Sequence, residues 1–174
     1  MEEYKKAIEG FRSQESGIVN KLKNYEKYEK LTKSILIKHQ VIIRVYILEL
    51  SDLARKDLTS ESDPYIKIYL GEKKYFDEQK NYLNNTQNGQ WYKHYDIIGE
   101  FPGDSTLKVE VWDYDPIFRD EMIGATQIDL EDRYFNSNWL EMKYKPIETR
   151  LLFHPDLTRQ QGNIKLWVEI FDKK

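Results

Sequence analysis

Cysteine is absent from the 174 residues, and histidine occurs only three times. Without cysteine, neither disulfides nor thiolate metal sites are available, which favours a reducing, cytoplasmic setting. No stretch approaches the ~20 apolar residues that cross a bilayer, and the first residues lack the basic start and apolar run of a signal peptide. Lys and Arg number 27 against 30 Asp and Glu, which leaves a formal net charge of −3. This balance attracts no nucleic acid, so any electrostatic function must come from local clusters of charge.

The three histidines give no indication of catalysis. His39, His94 and His154 fall at predicted strand edges or in loops, without an accompanying nucleophile or base motif. Paired acids occur in the sequence, but the aromatic residues that would form a sugar-binding cleft beside them are missing. We therefore expect a binding protein and not an enzyme.

Residues 1–38 differ in pattern from the rest of the chain. Their apolar side chains recur at spacings of three and four, which predicts a helical extension of one helix or two shorter ones. The positions are Tyr4, Ile8, Phe11, Ile18, Leu22, Tyr25 and Leu36. We expect this extension to lie on the following domain, residues 39–174, or on a protein partner; a coiled coil or a membrane-surface segment is the alternative.

From residue 41 the apolar period changes to two, which is typical of β-strands. Val41, Ile43, Val45 and Ile47 alternate with residues that are also largely apolar, so this strand is predicted to be central. Further strand candidates cover residues 65–70, 91–101, 107–112, 123–130, 139–144 and 164–171. Many short strands without long helices between them predict an all-β, antiparallel sandwich or barrel.

Acidic residues concentrate at two junctions between strands and loops. One junction carries Asp52, Asp57, Glu61 and Asp63, and the other carries Asp113, Asp115, Asp120 and Glu121. Aspartate is common in turns, where it bonds nearby backbone N–H groups, so turn formation is the simpler explanation. However, several carboxylates held close together repel one another unless a cation neutralises them. Calcium suits such a group, because it takes six to eight oxygen ligands and needs neither His nor Cys.

Three segments resemble the C2 domain family. They are residues 62–68 (SDPYIKI), 107–115 (LKVEVWDYD) and 122–124 (MIG), and the likeness extends over about residues 41–172. Within that family the chain is most similar to the ferlin type. The motifs that carry this likeness are residues 81–82 (NY), 128–133 (IDLEDR), 148–150 (ETR), 161–162 (QG) and 166–169 (LWVE).

The resemblance implies an eight-stranded antiparallel C2 β-sandwich with calcium held between loops at one end. No strand candidate precedes Val41 and one follows at Ile164, so it also implies the permuted, type II topology. Five acidic positions correspond to calcium ligands: Asp57, Asp63, Asp113, Asp115 and Glu121. Aspartate is the more common residue at the last position. The longer arm of Glu121 would shift or weaken the outer ion, with Asp120 as a substitute ligand.

The loop chemistry predicts docking on anionic phospholipid membranes. Five carboxylates repel anionic headgroups until calcium neutralises them. Ile117 and Phe118 stand between ligand positions where a turn is normally polar, so we expect them to insert into the membrane; the alternative is that they fold back on the domain. Leu58 is expected to act similarly in the first loop.

Two further surfaces follow from the resemblance and the extension. In related domains the concave face binds phosphoinositides, and Lys67, Lys73 and Lys74 occupy it here, with a solvated strand face as the simpler interpretation. The competing function is a calcium-independent, C2-like scaffold that mediates protein–protein interaction within a larger complex through its helices. If the chain binds calcium and phospholipid, we expect it to be cytoplasmic and peripheral at membranes.

Overall fold

The computed structural model describes residues 5, 9, 16, 17, 19–21, 23, 25, 26, 29, 33, 36–55 and 61–173. The chain divides into two compact units, Met1–Ile37 and Lys38–Lys174. In the first unit every described residue from 5 to 36 is helical. Glu29 and Lys33, one helical turn apart, form an ion pair of 2.8 Å. The division into a helical extension, residues 1–38, and an independent domain, residues 39–174, stays a prediction.

The second unit contains eight strands in its described part. They are β1 (His39–Ser51), β2 (Pro64–Leu70), β3 (Lys73–Asp77), β4 (Gly89–Phe101), β5 (Thr106–Asp113), β6 (Glu121–Asp129), β7 (Glu148–Phe153) and β8 (Gln160–Asp172). Two short helices, α1 (Glu131–Tyr134) and α2 (Ser137–Glu141), separate β6 from β7, and a single 3-10 turn (Gln79–Asn81) follows β3. The all-β fold predicted from the sequence is confirmed.

The strands form two antiparallel layers. Their order is β3-β2-β5-β6-β7-β8-β1-β4. β6 and β7 share only the bridge between Ala125 and Phe153, so the sheet folds there into layers of four strands each. β8, the last strand, pairs with β1 along almost its full length. This is the type II arrangement that the resemblance implied.

The core lies between the layers and follows from the period-two pattern. On β1 the alternating residues Val41, Ile43, Val45 and Ile47 are fully buried. The opposite face of this strand is half-buried, because the ring of Tyr46 stacks on Trp167 of β8 at 4.0 Å. β1 pairs with β4 on one side and β8 on the other, so it is the central strand that the sequence predicted.

The strand predicted at residues 139–144 is wrong, because α2 occupies Ser137–Glu141. The side chain of Asn136 accepts hydrogen bonds from the backbone N–H groups of Asn138 and Trp139, which caps the start of this helix. The Lys145 ammonium donates to the carbonyl oxygens of Trp139 and Met142 at its end. These local bonds favour one helical turn over an extended segment.

Candidate functional site

Three strand ends place the acidic junctions next to each other. Pro64, the first residue of β2, pairs with Asp113, the last residue of β5. Asp113 also pairs with Glu121, the first residue of β6. The segment between β1 and β2 and the loop between β5 and β6 therefore emerge at the same end of the sandwich, and Asp113 stands between them.

Asp63 and Asp113 are held by backbone hydrogen bonds. The Asp113 carboxylate accepts from the backbone N–H of Asp63 at 2.6 Å, and the Asp63 carboxylate accepts from that of Asn85 at 2.5 Å. Asn85 has a φ of 46°, and its side-chain oxygen accepts from the N–H of Glu61 at 3.0 Å. Three chain segments are thus cross-linked around two aspartates, which fixes where these carboxylates stand.

Asp115 shapes the tip of the loop between β5 and β6. Its carboxylate accepts from the backbone N–H groups of Ile117 at 2.7 Å and Phe118 at 2.9 Å. This Asx-type turn leaves Ile117 81% and Phe118 78% exposed. The alternative that these side chains fold back on the domain is therefore wrong, while their insertion into a membrane stays a prediction.

The carboxylates line a cleft of about 400 Å³ at this end. Its lining includes Asp63, Asp113 and Asp115. The other lining residues are Glu61, Asn84, Asn85, Tyr114, Pro116, Ile117 and Phe118. The cleft thus combines the predicted ligand positions with the exposed apolar tip.

The remaining predicted ligands are placed differently. Glu121 is exposed and lies across the ladder from Asp113, outside the described lining of the cleft. Asp57 and the predicted tip residue Leu58 lie outside the described residues. Among residues 36–55 and 61–173 and the described helical positions, no three His, Cys, Asp or Glu side chains are grouped so as to hold a metal ion. The ligand set therefore stays a prediction.

Asp120 takes part in a different set of contacts. Its carboxylate accepts from the Tyr65 hydroxyl at 2.7 Å and from the Gln79 side-chain amide at 2.6 Å. Burial of the Tyr65 ring, and then its bond to Asp120, raise the pKa of Tyr65 far above its ordinary value. Neither Tyr65 nor Gln79 has a charge that would have drawn attention to it in the sequence, and Asn85 was missed for the same reason.

The three lysines predicted for phosphoinositide binding lie on β2 and β3. The Lys67 ammonium is 3.6 Å from the ring centre of Trp112, and burial lowers its pKa despite the nearby Asp77. Lys74 pairs with Asp77 at 2.7 Å, and Lys73 lies over the Tyr75 ring. Phosphoinositide binding by Lys67, Lys73 and Lys74 stays a prediction.

Comparison with known proteins identifies the family. The family model described as the C2 domain matches residues 41–146. The chain belongs to the C2 domain family. Myoferlin of Xenopus tropicalis is 40% identical over 97 residues, which is 56% of this chain and 5% of that protein. Fer-1-like protein 4 of Mus musculus is 31% identical over 97 residues, again 56% and 5%. The ferlin likeness predicted from the sequence is confirmed, although the chain spans only about 5% of these relatives.

A solved structure shares the fold of this C2 domain. A pair of C2 domains from extended synaptotagmin 2, solved with calcium bound, matches with a TM-score of 0.58 at 22% identity. The match covers 74% of this chain and 45% of that one. Within the described part of the chain, the helices are too short or too polar to cross a membrane.

Proposed function

We propose that this C2 domain docks on anionic phospholipid membranes when calcium is bound at its acidic loops. The observation that carries the proposal is the cleft lined by Asp63, Asp113 and Asp115 next to the exposed side chains of Ile117 and Phe118. An anionic bilayer offers charged headgroups and an apolar interior. The carboxylates at this end of the sandwich can interact with the headgroups through calcium, and the apolar tip can interact with the interior.

The donor types that line the cleft support calcium as the ion. Asp63, Asp113 and Asp115 contribute carboxylate oxygens, and Asn84 and Asn85 add amide groups to the lining. Oxygen donors in a flexible loop setting are what calcium prefers, whereas zinc and copper favour nitrogen and sulfur. By family resemblance, Asp57 and Glu121 complete the set.

The negative charge of these residues makes membrane docking depend on calcium. Without a cation the carboxylates at this end repel anionic headgroups. Calcium, when bound, supplies positive charge and coordination positions that a lipid phosphate or carboxylate can fill. The chain's own contribution is to hold Asp63 and Asp113 in place through the backbone N–H groups of Asp63 and Asn85. The domain is proposed to act as a peripheral binding module without catalysis.

The second candidate is a calcium-independent scaffold in a larger protein complex. It is favoured by the described helical residues before β1, among which Val19, Tyr25 and Leu36 are exposed apolar side chains. Exposed apolar residues on a helix are suited to pack against a partner protein. The two functions do not exclude each other.

Calorimetric titration of the chain with calcium separates the candidates. It is done with vesicles of phosphatidylcholine and phosphatidylserine, with phosphatidylcholine alone, and without lipid. The proposal expects binding that tightens only with the anionic vesicles, because calcium and anionic lipid each favour the binding of the other. Magnesium replaces calcium as the control cation. The absence of calcium-dependent heat under all three conditions would overturn it, and stable co-purification with a partner in chelator would then favour the scaffold.

A further inference from the structure

Asp120 joins the loop between β5 and β6 to two neighbouring parts of the fold. One carboxylate oxygen accepts from the Tyr65 hydroxyl and from the Gln79 side-chain amide, at 2.7 and 2.6 Å. The other accepts from the backbone N–H of Asp115 at 3.2 Å. Tyr65 belongs to β2, and Gln79 opens the 3-10 turn after β3. A single carboxylate therefore links this loop to both of these elements.

The three hydrogen-bond donors hold the Asp120 carboxylate in place and do not leave it available to other partners. Tyr65 is fully buried and its hydroxyl donates to Asp120, so the ring has little freedom to move. Both oxygens of Asp120 already accept hydrogen bonds, and Asp120 is not among the described residues that line the cleft. Asp115, its neighbour in the same loop, does line the cleft.

We propose that Asp120 is a positioning residue and not a calcium ligand. Through Tyr65 and Gln79 it fixes the loop that presents Asp115 to the cleft and Ile117 and Phe118 to the membrane. This inference rests on the proposed function and deepens it, because it assigns adjacent acids different tasks. Asp120 holds the loop, which leaves Glu121 as the acid at the fifth ligand position.

The Tyr65→Phe variant tests the proposal by removing a single oxygen atom. The variant removes the hydroxyl that holds Asp120 but leaves every charge near the cleft unchanged. Tyr134→Phe is the matched control, because its hydroxyl also donates to an aspartate, Asp172, at 2.7 Å. Tyr134 follows β6 at the end of the sandwich opposite the cleft. Losing one such bond is expected to weaken calcium binding by about fivefold in Tyr65→Phe, with no change in the control.

A second measurement does not depend on metal. Hydrogen exchange of the Asp115 amide, followed by NMR without calcium, should accelerate by about fivefold in Tyr65→Phe and remain unchanged in Tyr134→Phe. Asp120→Asn completes the set and should also weaken calcium binding. If Asp120 were a ligand, Asp120→Asn would weaken calcium binding while Tyr65→Phe left it unchanged, and this result would overturn the proposal.

The two measurements separate this inference from the proposed function. If the wild-type chain bound no calcium, the proposed function would fail, while accelerated exchange at Asp115 would still support the positioning role of Asp120. If calcium bound normally and Asp115 exchanged at the same rate in Tyr65→Phe as in wild type, the proposed function would stand and the positioning role would be rejected.

Discussion

Replacing Ile117 and Phe118 together by serine should weaken membrane docking and leave calcium binding without lipid unchanged. Full burial of a large apolar side chain is worth ~1.5–3 kcal/mol. The two side chains are 81% and 78% exposed, so about four-fifths of that value is available from each. Together they amount to about 2.5–5 kcal/mol, and the lower figure corresponds to a loss of about 60-fold in vesicle affinity.

Sedimentation with phosphatidylserine-containing vesicles at saturating calcium measures this loss. Ile98→Ser with Phe171→Ser is the matched control, because it removes one exposed Ile and one exposed Phe that flank Ile42 at the far end of β1. The control should bind vesicles as wild type does. Equal vesicle binding by the tip variant and wild type, or an equal loss in the tip and control variants, would refute insertion of the tip.

Three further outcomes are expected. The double variant Asp113→Asn, Asp115→Asn should abolish calcium binding in calorimetry and leave the melting temperature equal or slightly higher. The amide oxygens still accept the backbone hydrogen bonds, while the repulsion between like charges falls. Unfolding of the variant in the absence of metal would contradict this. The hydrogen bonds from Arg44 hold the pKa of Asp96 below its ordinary 3.8, so this pair contributes stability above about pH 4 that is lost as the pH falls further. The stability difference between wild type and Asp96→Asn, from urea unfolding at pH 5, 4 and 3, should therefore shrink toward acid, and a constant difference would disprove the assignment. Deletion of residues 1–37 should leave a cooperative thermal transition within a few degrees of the full chain, since they form a separate unit; loss of that transition in circular dichroism would show that the sandwich needs its extension.

The strands that the sequence predicted are those with one fully buried face. β1, β2, β5 and β8 each alternate between buried and less buried residues, and this alternation is visible as a period of two. β3 has no buried residue, and β7 has only Leu152. A strand that buries little carries no apolar period, so both were absent from the prediction although the resemblance implied eight strands. The segment at 139–144 failed for the opposite reason, because its large apolar residues imitate a strand while the cap at Asn136 starts a helix.

The candidate site was predictable as a group of charges but not as a set of bonds. Asp63, Asp113 and Asp115 stand at strand ends, and strand ends that pair must meet, so their proximity follows from the antiparallel order. The contribution of Asn85 does not follow in the same way. It depends on a left-handed backbone at φ 46°, which lets one residue bond to both Glu61 and Asp63.

The proposed division of tasks between Asp120 and Glu121 shows where sequence spacing stops being sufficient. The two acids are adjacent, so their side chains leave the chain in different directions. Sequence spacing alone does not say which of the two side chains faces the cleft. The ladder settles which of them joins the sheet, because Glu121 pairs with Asp113 as β6 begins while Asp120 remains in the loop. Once Asp120 is in the loop, Tyr65 and Gln79 bind it from β2 and from the turn after β3. The partners of this charged residue are thus a neutral hydroxyl and a neutral amide, which charge spacing in the sequence does not reveal.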